Sequence, residues 1–282
     1  MVSPRAKRAA AQHLITELGL SELKACAVVD LPRSTFRRPV ADQRPSDPDA
    51  GLRSWLCSYA KAHPRWGYRR AHADARAEGW CVNHKKTQRL WREEGLRVPQ
   101  RRRRKRRGTS TGIAPVIAAY RNHVWAIDFQ HDHLEDGSGF KIASNLDEHT
   151  RLILDDTIDT SITGDDLTVI LDRLALEHGH PELLRMDNGP EMASKAVATW
   201  AEDVVGLVFI PPGEPWRNGY VESFHSRQRD ELLNISSFAS LLHARVELAD
   251  WHEEYNHVRR HSSLGYRAPA EYAANCTCTK TD

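Results

Sequence analysis

Residues 101–107 read Arg-Arg-Arg-Arg-Lys-Arg-Arg and are followed by Gly108. Consecutive like charges repel one another and bury nothing, so this block cannot lie inside a domain. It is a linker, or an arm that reaches for a polyanion, and it divides the chain. Residues 1–110 carry 26 Lys+Arg against 10 Asp+Glu, a balance of +16. Residues 111–282 carry 14 against 28, a balance of −14. The formal net charge of +2 hides that division. The basic half suits a nucleic acid. The acidic half would repel the same ligand unless its carboxylates have another task.

At 282 residues and 40% hydrophobic, the chain can form one large or two to three smaller domains with real cores. No apolar run approaches the roughly 18 residues of a membrane span, and the basic start MVSPRAKRAA lacks the apolar stretch of a signal peptide. A cytosolic protein with no membrane partner is expected. The five cysteines, Cys26, Cys57, Cys81, Cys276 and Cys278, are odd in number and scattered, which does not fit a disulfide framework. No second Cys or His pair stands at finger spacing from Cys276-Thr277-Cys278, so no zinc site is expected.

Residues 1–38 read as a small helical module. Ser21 can cap a helix whose apolar residues fall at 23, 25, 26, 28 and 29, and Asp30-Leu31-Pro32 breaks it. A short basic segment follows, with Arg33, Ser34, Thr35, Arg37 and Arg38. Helix, tight turn and basic helix is a helix-turn-helix pattern for DNA, or else a helical hairpin with a solvated basic face. Residues 39–51 are a Pro-rich linker. Residues 52–98 read as a second such module, with helices over about 68–78 and 83–94. Gly79 ends the first and Asn83 caps the second. Trp55, Tyr59, Trp66, Trp80, Leu90 and Trp91 can supply its core, with Arg69, Arg70, Lys85, Lys86 and Arg89 outside. Residues 99–120 form the basic arm, and Arg101, Arg102, Arg103, Arg104, Lys105, Arg106 and Arg107 are candidate phosphate ligands.

Beyond the arm the pattern changes to alternation. Strands are predicted over 124–134, 140–147 and 150–159, joined by turns at Asp136-Gly137 and Glu148-His149. A helix over 166–179, a strand over 182–186, a helix over 191–204 and a strand over 206–210 follow. Helices then cover 220–233 and about 238–257. This is an α/β arrangement with a mixed five-stranded sheet. Three acids hold notable places in it. Asp128 lies in the first strand, Asp187 ends the fourth, and Glu222 opens the helix after the fifth. Three converging carboxylates repel strongly unless a cation joins them, and hard oxygen donors suit Mg²⁺ or Mn²⁺. Two such ions can activate an attacking oxygen and stabilise the leaving oxygen of a phosphodiester. Asp132 and Asp147 are rivals on the same strands, and most of the 28 acids must be solvated surface. His123, His131 and His133 flank Asp128 and are read as strand-surface or loop residues, with a metal-binding pair as the alternative. Trp216, before Arg217-Asn218-Gly219, can stack on a base or pack.

Several ordered motifs span about 10–273: HPRWGYRR, WAIDFQHDHLEDG, LDEHTR, DNGPE, PWRNGYVESFHSRQRDELL and EEYNHVRRHSSLGYRAPAEY. In these the chain resembles the OrfB-type transposases of bacterial insertion sequences, in the group named for insertion sequence three. The resemblance implies a ribonuclease-H-like, integrase-like catalytic core over 121–235, with a helical extension over 236–273 and a polar tail over 274–282. It implies that Asp128, Asp187 and Glu222 are the DDE triad holding two Mg²⁺ or Mn²⁺ ions, and that Arg229 contacts DNA beside Arg217 and Asn218. Implied partners are DNA, further copies of the chain in a homo-oligomer, and an OrfA protein, alone or fused, in the bacterial nucleoid. The chain departs from the pattern in three places. It is one residue short between Asp187 and Glu222, Met186 replaces a serine, and Arg259-Arg260-His261 replaces Arg-Pro-His. The alternative is a decayed or repurposed copy that binds DNA as a regulator.

Overall fold

A computed structural model describes residues 4–37, 47–98, 116–211 and 218–276. Among them no helix is long and apolar enough to cross a membrane. The basic block 101–107, Arg38, Trp216, Arg217 and Cys278 lie outside the described residues. The chain divides into two compact units, Met1–Trp55 and Leu56–Asp282.

The first unit holds α1 (Pro4–Thr16), α2 (Glu22–Val28) and α3 (Arg33–Arg37). Ser21 caps α2 as expected, its hydroxyl accepting from the Lys24 N–H. Ala11, Ala25, Cys26 and Leu31 are buried. Leu23 and Val28, which the apolar pattern grouped with Ala25 and Cys26, are mostly exposed. A helix of two turns presents only a narrow stripe inward, and Ala25 and Cys26 fill it.

In the second unit, α5 (Tyr68–Ala77) and α6 (His84–Glu93) follow α4 (Ala50–Ala62), which spans the division. Gly79 takes φ +92°, a left-handed conformation that ends α5, and the Asn83 side chain caps α6 by accepting from Lys86 N–H at 2.8 Å. Leu56, Ala71, Leu90 and Trp91 are buried between these helices. Trp66 is buried too and stacks on His63 with ring centroids 4.0 Å apart. This module packs on the C-terminal part of the chain. Arg260 binds Asp74, Arg70 donates to the Arg260 carbonyl at 2.9 Å, and His63 meets Glu254 at 3.1 Å.

The C-terminal half builds β1 (Val124–His133), β2 (Gly139–Asp147), β3 (Ile153–Asp159), α7 (Gly164–His178), β4 (Leu183–Met186), α8 (Lys195–Ala201), β5 (Gly206–Phe209), α9 (Gly219–Gln228), α10 (Leu241–Glu253) and α11 (Pro269–Ala274). The sheet order is β3-β2-β1-β4-β5. β1, β2 and β3 pair antiparallel, while β4 and β5 join parallel. Side chains alternate across β1. Trp125 and Ile127 enter a core with Leu167, Leu171 and Leu174 of α7 and Met186 of β4. Ala126 enters another with Ile142, Val221 and Phe224 of α9, and Leu248 and Trp251 of α10. Each such aliphatic or aromatic side chain contributes about 1.5–3 kcal/mol when fully buried. This is the ribonuclease-H-like architecture expected, a mixed five-stranded sheet with helices on both faces, preceded by all-helical modules.

Several boundaries differ from the sequence pattern, each for a local reason. β3 starts at Ile153 because Arg151 takes φ +63° and Asp147 accepts from Thr150 N–H at 2.7 Å, which makes a tight corner. α8 starts only at Lys195, capped by Ser194, because the chain is still turning after Asn188-Gly189. The predicted helices 220–233 and 238–257 each finish in a π-helical turn, Arg229–Leu233 and Glu254–Val258. Those turns place Glu231 and Arg259 in a buried ion pair at 2.6 Å. α10 begins at Leu241 behind the capping Ser240, since Phe238 turns into the core.

Candidate active site

The parallel pairing of β1 with β4 matches Val124 to Leu183, Trp125 to Leu184 and Ala126 to Arg185. Continued two steps further, the same register matches Asp128 to Asp187. Partners in register share a face, so both carboxylates leave the sheet on the side covered by α9. Glu222 lies in the first turn of α9, and His225 follows one turn later.

Asp128 is mostly buried, with 24% of its side chain exposed. Burial pushes its carboxyl up to about 6, and the negative charges of Asp187 and Glu222 push the same way. The Phe129 N–H donates to Asp128 Oδ1 at 2.9 Å and partly opposes that rise. Asp128 therefore feels both other acids. Among the described residues no lysine or arginine pairs with any of them, and no group of three or more His, Cys, Asp or Glu side chains is gathered as a ready metal site.

Asp187 ends a strand and opens a turn. Its Oδ1 accepts from the Gly189 N–H at 2.8 Å, and Asn188 donates to the Ile210 carbonyl at 2.5 Å. A Cβ on Gly189 would come within 2.9 Å of that same Oδ1. A side chain there would make the Asp187 carboxylate shift. Glu191, in the same DNGPE turn, is anchored to β2 by Lys141, whose ammonium sits 4.3 Å from the Phe129 ring.

His225 was not singled out in the sequence, though its spacing of three from Glu222 puts both on one face of a helix. Its Nδ1 stands 3.5 Å from Asp128 Oδ2. Burial, aided by Arg229, holds its pKa down to about 4, so the ring is neutral at pH 7 and the contact is no ion pair. Arg229 donates to the His131 carbonyl at 2.8 Å and lies 3.8 Å from Asp132. It rests at the end of β1, half-buried, on the site's rim. Beyond it opens a cleft of about 390 Å³ lined by His131, His133, Lys141 and Thr160. Of the rival acids, Asp147 is spent on the corner, accepting from Thr150 and from Asn122 N–H.

The other candidate DNA ligands lie at varied depths. Arg33 and Arg37 both bind Glu22, at 2.9 and 2.8 Å, which also lowers the pKa of that carboxylate. Ser34 and Thr35 lie on the same short helix. Arg69 and Lys85 are exposed, and Lys86 is half-buried at the start of α6. Arg70 is half-buried and donates to the Arg260 carbonyl, and burial lowers its pKa to about 10, so it takes part in the docking of α5. Asn218 is 3% exposed at the start of α9.

Comparison with known proteins agrees with the fold. Residues 118–215 and 204–269 each match an integrase core domain, and residues 58–104 match an HTH-like domain. The uncharacterized 31.7 kDa protein of insertion element IS407 from Burkholderia multivorans is 40% identical over 265 residues, covering 93% of this chain and 94% of its own length. The uncharacterized 39.2 kDa protein of insertion element IS476 from Xanthomonas euvesicatoria is 38% identical over 276 residues, covering 97% of this chain and 78% of its own. The transposase for insertion sequence element IS904 from Lactococcus lactis is 27% identical over 156 residues, covering 54% of this chain and 61% of its own. With an integrase core behind an HTH-like domain, and relatives near 40% identity along almost all of its length, the chain belongs to the transposases of bacterial insertion sequences, in the group named for insertion sequence three.

Proposed function

We propose that this transposase cuts the ends of its element and joins them to target DNA, with Asp128, Asp187 and Glu222 holding two divalent cations, Mg²⁺ or Mn²⁺. One observation carries the reading: Asp128 is raised to about 6 by burial and by two neighbouring carboxylates, with no basic side chain among the described residues to relieve it. The donor set fits the ions, since all three groups are hard oxygen donors and a cation cancels their repulsion. When bound, the ions supply activation of the attacking oxygen and neutralise charge on the leaving oxygen. The chain's own groups do the rest. Asp187 is held by its turn, and neutral His225 fixes one side of Asp128. Arg229 presents a positive charge at the rim, where a phosphate next to the scissile bond would lie. Exposed Arg69 and Lys85 and the arm 101–107 hold the terminal repeats. A homo-oligomer brings two ends together, and an OrfA protein, separate or fused, supplies further contacts.

The test uses purified full-length protein, labelled DNA carrying the element's end, and Mg²⁺ or EDTA, with Glu222→Gln alongside. Nicked and joined products with Mg²⁺, absent in EDTA and in the variant, are expected, with DNA binding intact throughout. Products that survive Glu222→Gln would end the triad assignment. The one-residue shortening between Asp187 and Glu222 favours a second reading, a regulator that occupies the repeats without cutting. That reading predicts binding but no product, even when the assay is repeated with an OrfA fusion. Deleting 101–107 should flatten the salt dependence of binding, by roughly 0.9 in log–log slope for each phosphate that the arm neutralises. An unchanged slope would make the arm a passive linker.

A further inference from the structure

On the sheet face that carries Asp128, beneath α9, lies a buried polar layer that the proposed chemistry does not use. The register matches Asp128 to Ser144 and Ser144 to Asp156, so the three side chains form one row across β1, β2 and β3. α9 covers this row. Gln228, six residues after Glu222 on the same helix, donates from Nε2 to Asp156 Oδ2 at 2.9 Å. Ser144 and Gln228 are fully buried. Burial lifts the Asp156 carboxyl to about 8, so at neutral pH it keeps a proton and can donate from one oxygen while accepting on the other. Ser144 Oγ and Asp156 Oδ1 complete no hydrogen bond among the described residues, yet the hydroxyl faces the acid closely enough to counter part of its rise. Gln130 Nε2 and Gln228 Oε1 are likewise buried without a partner there.

Their neighbours on this face are apolar: Ile142, Ile158, Val221 and Phe224. An apolar row would pack at least as well, because buried polar groups cost stability unless bonded. What a polar row adds is a unique alignment, since its bonds are made in only one arrangement. The layer lies at the joint between the helix that carries Glu222 and the strand that carries Asp128. We propose that Gln228 and Asp156 are positioning residues, a hydrogen-bonded tie between α9 and the sheet that fixes Glu222 relative to Asp128. The proposal rests on the triad reading above.

The experiment titrates Mn²⁺ alone into the full chain by calorimetry, with a thermal melt to establish that each variant folds. Asp156→Leu and Gln228→Leu should each weaken Mn²⁺ binding about 10-fold, the size expected when support for a metal ligand is removed. The double variant should be no worse than either single one, because both break one tie. Asp156→Asn retains a donor and an acceptor and should restore binding to within about twofold of the parent chain. If Asp156→Leu does not fold, Gln228→Leu and Asp156→Asn carry the test. Folded leucine variants that bind Mn²⁺ like the parent would overturn the tie while leaving the triad standing. An asparagine variant as weak as the leucine variant would overturn it too. If Asp128→Asn leaves Mn²⁺ binding unchanged, the triad reading fails and the tie falls with it.

Discussion

Glu148 and Asp128 are both acids pressed into the same sheet, and the structure treats them in opposite ways. Glu148 has no exposed side-chain surface, and Arg185 of β4 closes on it at 2.6 and 2.8 Å. The other arm of that guanidinium donates to the Val116 carbonyl at 2.7 Å. Burial still pushes Glu148 up to about 7, against the pull of Arg185. Asp128 retains 24% of its side-chain exposure, and its charged neighbours are two more acids. Arg185 stands only two residues before Asp187, so one short strand supplies a cation to the structural acid and a second anion to the other. The first arrangement serves the corner of the fold. The second leaves repulsion that folding alone would not favour, which is what a cation-holding site requires.

The largest effect separates the two acids by function. Asp187→Asn should cut joined product by about 10³-fold, the loss of several kcal/mol of transition-state stabilisation, with the melting temperature unchanged or raised. A strand-transfer assay and a thermal melt on the same preparation check both halves. If Asp187→Asn melts well below the parent chain, Asp187 belongs with the structural acids and the contrast collapses.

Arg185→Met tests the other side. It leaves Glu148 buried without its cation, and breaking such a pair costs about 3–5 kcal/mol. Urea denaturation should show this as a lower midpoint. A variant that unfolds at the parent midpoint would mean that water reaches Glu148 and that the corner is no stabilising counterpart to the site.

Gly189→Ala should give a smaller effect, located at the site. The new Cβ meets the Asp187 carboxylate and no backbone, so the short side chain must shift. Displacing a reacting group by about 1 Å costs up to roughly 10²-fold in rate, while stability should change little. Product formation at the parent rate would show that Asp187 has room to move and is not held by its turn.

Much of this contrast was legible in the sequence, and the missing parts share a cause. Asp187-Asn188-Gly189 announced a turn, and the alternation around Asp128 announced a strand. Ser21 and Asn83 were readable as caps because the bonds they make are local. His225 was readable in principle, being one turn from Glu222, but a lone histidine carries little signal until its helix has a partner. The docking of Asp74 on Arg260 spans 186 residues, and no local pattern encodes it. The row behind Asp128 was hidden for a related reason. The register that aligns Ser144 with Asp156 shifts at Asn145/Leu146, and a slip of one residue would turn Asp156 to the other face. The π-helical ends of the predicted helices were also hidden, because propensity does not distinguish those turns from α-helix.

Asp156 completes the comparison as a third treatment of a buried acid. It has no arginine like that of Glu148, and burial, with a smaller push from the charge of Asp155, lets it keep its proton up to about pH 8. An unfolded chain releases that proton near the ordinary aspartate value of about 4. Between those values the native state binds one proton more than the unfolded state, so this group makes stability fall as pH rises. Its contribution is fully present below about pH 4 and is lost progressively up to about pH 8, by at most about 1.4 kcal/mol per pH unit. Asparagine carries no such proton. Asp156→Asn should therefore match the parent chain at pH 4 and become relatively more stable at each step toward pH 8, as read from urea midpoints across that range. A constant difference between the two proteins would show that Asp156 is already ionised in the fold.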